Sequence, residues 1–278
     1  MRARRWEAGD LPPGPVAKIC GLTRLEDVLL ARALGAWALG FVFAPSPRRL
    51  TPAEARRLID GVVGSREPAG AVAVARPVAP LAVGVFGKVT GAEIARVVEQ
   101  VGLDAVQLHG VSGPESGEVR EALAGWVCPL ALRSCELASP GTRTVLIIQA
   151  VPVPSEGIGP EQLRQAVLAA GAEADLILFD TQSSTGFGGT GATFPWRLAR
   201  EAAVGEPFLV AGGIRPDNVE TALRTSGAWG VDVSSGVESS PGKKDPGLVG
   251  RLLARVGATP KPDPATRSMY ERQEGSKT

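Results

Sequence analysis

Along this chain, short and unbroken apolar runs alternate with stretches of helical period. The runs Val16–Cys20, Ala36–Phe43, Leu81–Phe86, Ala105–Leu108, Val145–Val151, Leu176–Asp180, Phe208–Ala211 and Gly230–Ser234 predict eight strands. Each run is continuously apolar rather than alternating, the mark of a strand covered on both faces. One more apolar run, over 126–135, reads as an insertion or edge element. The helical stretches carry start signals. Thr51-Pro52-Ala53-Glu54 is a capping box with proline at the first helical position. Thr90-Gly91-Ala92-Glu93 repeats the box, and Asp245-Pro246 opens a last helix that runs to about Arg255. Further helices are predicted over 23–34, 160–170, 194–203 and 216–225.

Strand–helix alternation repeated eight times implies parallel strands joined by right-handed crossovers. The expected fold is α/β, a single (β/α)₈ TIM barrel over residues 15–257. A doubly wound open sheet is the alternative, but no GxGxxG follows the first strand. Residues 1–14, 65–80 and 258–278 lack any apolar period. They read as a disordered N-terminal extension, a low-complexity insertion and a disordered C-terminal tail.

Charge narrows the class of partner. Thirty basic against 29 acidic side chains give a net charge of +1, no footprint for nucleic acid or an anionic membrane surface. No run of about 18 apolar residues predicts a membrane span. The basic start Met1–Trp6 leads into Gly9–Gly14 and not into the apolar core of a signal peptide. The three cysteines, Cys20, Cys128 and Cys135, are few and odd in number, which suits a reducing, cytoplasmic setting. Their spacing fits no zinc motif and His109 is the single histidine, so no metal site is expected.

In such a barrel the chemistry sits where strands end and the following loops begin. Strand ends here read Lys18-Ile19-Cys20-Gly21, Gln107-Leu108-His109-Gly110, Phe179-Asp180, Ala211-Gly212-Gly213-Ile214 and Val233-Ser234-Ser235-Gly236-Val237-Glu238. The second strand leads into Phe43-Ala44-Pro45-Ser46-Pro47-Arg48-Arg49. Glycines at the last two turns let backbone N–H groups come close to an anion. One Gly-Gly pair alone would mark only a tight turn. Two adjacent turns, Gly212-Gly213 and Ser234-Ser235-Gly236, favour a phosphate.

These motifs, KICGLT, GFVFAPSPRRLTPAEA, VGVF, VQLHG, FD followed by GGTG and Phe-x-Trp, LVAGGIRPDNV and GVDVSSGVESSPGKKD, resemble the phosphoribosylanthranilate isomerase family of tryptophan biosynthesis, in order, over roughly residues 16–256. The resemblance implies an Amadori rearrangement of N-(5-phosphoribosyl)anthranilate to the aminodeoxyribulose phosphate, with no cofactor. It implies Cys20 as general base and Asp180 as general acid. It gives Arg48, with Arg49 as competitor, the substrate's carboxylate. His109 is expected to line the pocket, and Gly189 and Gly191 to join the substrate-binding glycines. The chain is expected to work as a monomer or homodimer on a small phosphorylated substrate.

Two other readings remain. A histidine-pathway isomerase of similar chemistry would call for an aspartate where Cys20 stands. A non-catalytic phosphate-binding barrel would be expected to lose Cys20 or Asp180. One departure stands out: Phe194-Pro195-Trp196 replaces the family's Phe-Asp-Trp.

Overall fold

The computed structural model describes residues 14–64, 80–110, 113–126, 145–171, 173–182, 193–203 and 207–259. Within them the predicted strands form one closed parallel barrel, each strand hydrogen-bonded to its sequence neighbours and the eighth to the first. The strands are β1 (Val16–Ile19), β2 (Ala38–Val42), β3 (Leu81–Phe86), β4 (Ala105–Leu108), β5 (Leu146–Val153), β6 (Leu176–Thr181), β7 (Phe208–Val210) and β8 (Gly230–Val233). Closure comes from the pairing of Val16–Ile19 with Gly230–Val233. Helices α1 (Leu25–Ala33), α2 (Pro52–Gly64), α3 (Gly91–Val101), α4 (Gly113–Ala122), α5 (Pro160–Gly171), α6 (Arg197–Ala202), α7 (Val219–Ser226) and α8 (Pro246–Ala258) follow the strands in turn. Among the described residues, no helix is long and apolar enough to cross a membrane.

The unbroken apolar strands are explained by two destinations for alternating side chains. Ala17, Ile19, Leu39, Phe41, Val106, Leu108, Ile147, Phe179, Val231 and Val233 point outward and pack with helix residues in the main core. Val16, Ala38, Val83, Ala105, Ile148, Leu176, Leu178 and Leu209 point inward and fill the barrel. At the foot of this inner core Trp37 and Trp229 meet edge to face, with ring centroids 4.9 Å apart. Among the described residues, the lower barrel is therefore packed with apolar side chains.

The helix signals act as read. Thr90 Oγ1 accepts from Glu93 N at 3.3 Å while the Glu93 carboxylate accepts from Thr90 N at 2.9 Å. Thr51 and Glu54 make the same pair of bonds, and Asp245 accepts from Leu248 N at 2.8 Å. The sequence reading omitted α4. Its residues, GPESGEVREA, hold two glycines and a proline with few apolar side chains, so helical periodicity is faint. Tertiary packing holds it instead, through buried Ser116, Val119 and the following Leu123. Helix α6 is shorter than the predicted 194–203 because Phe194-Pro195-Trp196 forms the turn before it. Helix α8 continues past Arg255 to Ala258, into the predicted tail. The remainder of the predicted tails, the 65–79 stretch and the apolar run beyond Trp126 lie outside the described residues.

Candidate active site

The inward positions near the top of the barrel break the apolar rule. Lys18, Gln107, Asp180 and Asp232 occupy inward places on β1, β4, β6 and β8, with Cys20, His109 and Ser234 just past strand ends. Each would cost free energy in an apolar interior unless paired or used. With Arg48 and the loops after β7 and β8, all of these but Lys18 line one cavity. Val42, Ala44 and Val85 surround Cys20 and form its apolar wall.

Beneath the cavity floor lies an ion pair. Lys18 and Asp232 are direct cross-strand partners, and Lys18 Nζ donates to Asp232 Oδ2 at 2.9 Å. The Lys18 side chain is fully buried and that of Asp232 is 7% exposed. Burial pulls the Lys18 ammonium down, yet Asp232 and the Cys20 thiol together outweigh it and hold the group above its ordinary value. The remaining Asp232 oxygen, Oδ1, and Gln107 Oε1 are buried, and neither finds a hydrogen-bond donor among the described residues.

Asp180 is strongly perturbed. Burial first, and then the Asp232 charge, push its carboxyl up to about 7, against the opposing pull of Lys18. A carboxyl in that range is about half protonated at neutral pH, where an ordinary aspartate is fully ionised. Cys20 is pushed up by burial; Lys18 pulls it down but does not cancel that push. The resting thiol is therefore neutral, with an ammonium beside it ready to accept its ionised form. His109 Nδ1 lies 3.9 Å from Asp180 Oδ2, beyond hydrogen-bond reach, and burial lowers the imidazole below its usual value.

Of the two candidate arginines, Arg48 is buried and lines the cavity, whereas Arg49 is exposed and does not. Arg48 is already held by Glu238, through Nε at 2.8 Å and Nη2 at 2.6 Å. Opposite, the loops after β7 and β8 meet. Gly212 and Gly213 have φ of 82° and 63°, a region that side chains disfavour. A Cβ at Gly212 would run into the Thr181 side chain, and one at Gly236 into the carbonyl of Ile214. The Asn218 side chain pins this turn by accepting from Arg215 N at 2.7 Å and donating to Gly213 O at 2.9 Å. Backbone is thus brought to the cavity surface beside Ser234, Ser235 and Gly236.

The cavity brings together Cys20, Arg48, His109, Asp180, Gly212, Gly213, Ser234, Ser235 and Gly236. Gly189 and Gly191 lie outside the described residues. Sequence reading passed over Asp232, Gln107, Glu238 and Lys244. A signal for the first two was present: each is a polar residue at an inward position of a strand that is otherwise apolar. The Pro195 departure is accommodated, since Phe194 stays buried and donates from its N–H to Thr181 Oγ1 at 3.2 Å. Among the described residues, no group of three or more His, Cys, Asp or Glu side chains is placed to hold a metal ion.

Comparison with known proteins agrees with this geometry. A family model described as N-(5'phosphoribosyl)anthranilate (PRA) isomerase matches residues 17–127 and 141–255. The N-(5'-phosphoribosyl)anthranilate isomerase of Rubrobacter xylanophilus is 37% identical over 85% of this chain and 96% of its own length. That of Rhodopseudomonas palustris is 38% identical over 88% and 96%. Among solved structures, the phosphoribosyl anthranilate isomerase of Thermotoga maritima superposes with a TM-score of 0.65 at 31% identity, covering 87% of this chain and 98% of that one. A phosphoribosyl anthranilate isomerase in complex with reduced 1-(o-carboxyphenylamino)-1-deoxyribulose 5-phosphate superposes with a TM-score of 0.62 at 29% identity, covering 87% and 98%. Motif order, barrel, rim chemistry and these likenesses converge, and the chain belongs to the N-(5'-phosphoribosyl)anthranilate isomerase family.

Proposed function

We propose that this protein catalyses the Amadori rearrangement of N-(5-phosphoribosyl)anthranilate to 1-(2-carboxyphenylamino)-1-deoxyribulose 5-phosphate. The observation that carries this function is the pairing in one cavity of a carboxyl raised to about 7, still partly protonated at neutral pH, with a thiol beside a buried ammonium.

The reaction needs an acid and a base acting in turn. Asp180 gives its proton to the furanose ring oxygen, and the bond from that oxygen to C1′ breaks. The anthranilate nitrogen's lone pair forms the C1′=N double bond, leaving a protonated Schiff base. Cys20, once its proton has been lost to solvent and the thiolate is held beside Lys18, then removes the C2′ proton. The electrons of that C–H bond form C1′=C2′, and the nitrogen recovers its lone pair. The resulting enolamine tautomerises to the ketone, losing the enol proton and gaining one at C1′. Lys18 stabilises the thiolate form of Cys20, and Asp232 balances Lys18 so that the pair adds no net charge to the floor.

The substrate's other groups have matching partners. Backbone N–H groups around Gly213 and Ser234–Gly236 suit the phosphate. Arg48 suits the ring carboxylate, because a guanidinium keeps its charge and offers paired N–H groups. The orphaned acceptors Asp232 Oδ1 and Gln107 Oε1 suit sugar hydroxyls, which would supply the donors they lack. Cys20 at the end of β1 favours this substrate over the histidine-pathway one.

The test is to follow anthranilate fluorescence as purified protein meets freshly generated phosphoribosylanthranilate. Cys20→Ala and Asp180→Asn are each expected to lower kcat by at least about a hundredfold with the circular dichroism of the parent, the scale of a lost acid or base. Retained turnover in either variant would remove that residue from the mechanism. Arg48→Ala is expected to raise KM while kcat changes little; an unchanged KM would take the carboxylate away from Arg48. Stability gives an independent check. Because the folded state holds Asp180 at about 7 against 3.8 for the free group, ionising it costs stability as pH rises from about 4 through 7. Asp180→Asn removes that cost, so the variant should gain on the order of 4 kcal/mol relative to the parent at pH 8 and less than about 1 kcal/mol at pH 4. Equal denaturation midpoints at both pH values would argue against a raised carboxyl.

A further inference from the structure

A guanidinium carries five N–H groups on two usable edges, one of Nε and Nη2 and one of Nη1 and Nη2. In Arg48 the first edge is closed. Nε donates to Glu238 Oε1 at 2.8 Å and Nη2 donates to Glu238 Oε2 at 2.6 Å, with only 10% and 4% of the two side chains exposed. Arg48 nevertheless lines the cavity. What is left for a ligand is the edge formed by Nη1 and the second Nη2 hydrogen.

Glu238 is itself held from behind. Lys244 Nζ donates to Glu238 Oε1 at 2.8 Å and to the Ser234 carbonyl at 3.2 Å, and its side chain is fully buried. Gly242 N adds a weaker bond to the same carboxylate oxygen at 3.3 Å. The stem of Arg48 also runs through a slot that depends on Gly21. A Cβ there would collide with Arg48 Cδ and lie 2.8 Å from Ser234 Oγ, and Gly21 has φ of 72°. The guanidinium is therefore tied, through Glu238 and Lys244, to Ser234, part of the loop that offers backbone to the phosphate. A substrate with an anion at each end needs that separation fixed, since freezing a loose arginine on binding would cost rotamer entropy.

We propose that Glu238 is a positioning residue that occupies the Nε/Nη2 edge of Arg48 and so presents its Nη1/Nη2 edge to the substrate's ring carboxylate. This rests on the reading above that Arg48 grips that carboxylate. Glu238 touches no reacting atom; it acts through Arg48, with Lys244 as its anchor.

The experiment compares Glu238→Gln with the parent on two substrates, phosphoribosylanthranilate and the corresponding adduct of aniline, which lacks the carboxylate. Loss of the charge-assisted fork should raise KM for the anthranilate substrate about tenfold with kcat within about twofold. KM for the aniline adduct should not move. In an Arg48→Ala background, Glu238→Gln should add nothing further. Should Glu238→Gln not fold, Glu238→Asp retracts the carboxylate while keeping its charge beside Lys244. The same carboxylate-selective rise is then expected. An equal rise on both substrates, or a further rise in the Arg48→Ala background, would show a merely structural role and overturn the proposal. If Arg48→Ala itself leaves KM unchanged, the reading of Arg48 fails; if it raises KM but Glu238→Gln does not, only the role of Glu238 fails.

Discussion

A buried lysine and a buried aspartate, paired across adjacent strands at the seam where the barrel closes, set the conditions for everything above them. Lys18 and Asp232 lie 2.9 Å apart in surroundings that neither could enter alone. Leaving either one uncompensated in such a place costs about 3–5 kcal/mol. Their fields reach both proposed proton carriers with opposite sign. At Cys20 the ammonium is the stronger of the two charges and favours the thiolate against burial, while at Asp180 the carboxylate is the stronger and favours the protonated form. An acid that keeps its proton and a base that can lose one are what ring opening followed by C2′ deprotonation requires.

The barrel makes this possible through parity. One set of alternating side chains seals each strand against the helices and the other fills the lumen. Chemistry is confined to the few inward places above the packed layers, and these come from strands far apart in sequence. Residue 18 meets residue 232 because β8 closes on β1, not because of local structure. The loops after β7 and β8 supply backbone where side chains would not fit. Lys244 and Glu238 then tie that end of the cavity to Arg48 from the second loop.

Much of this was legible in the linear chain. Unbroken apolar runs reported strands covered on both faces, and Thr51, Thr90 and Asp245 marked true helix starts. Helix α4 was not legible, because its glycines and proline erase the helical period and only burial against its neighbours holds it. Cys20, Arg48 and Asp180 could be picked out because their motifs are local strings. Asp232 shows only as a polar residue in an otherwise apolar strand; that it pairs with Lys18 depends on the partner strand and is not legible. Glu238 and Lys244 were equally hidden: both sit in a polar stretch, and only the folded loop shows them buried and clasped to Arg48.

Burial and the Asp232 charge at the floor of this cavity raise the Asp180 carboxyl to about 7, so that it is partly protonated at neutral pH and poised as an acid. Carbon-13 labelling of the aspartates, with the Asp180 carboxyl assigned by its absence in the Asn variant, lets its titration be followed directly by NMR in the free protein. A midpoint close to 7 is expected. A midpoint near 4, the value of an ordinary exposed aspartate, would contradict it.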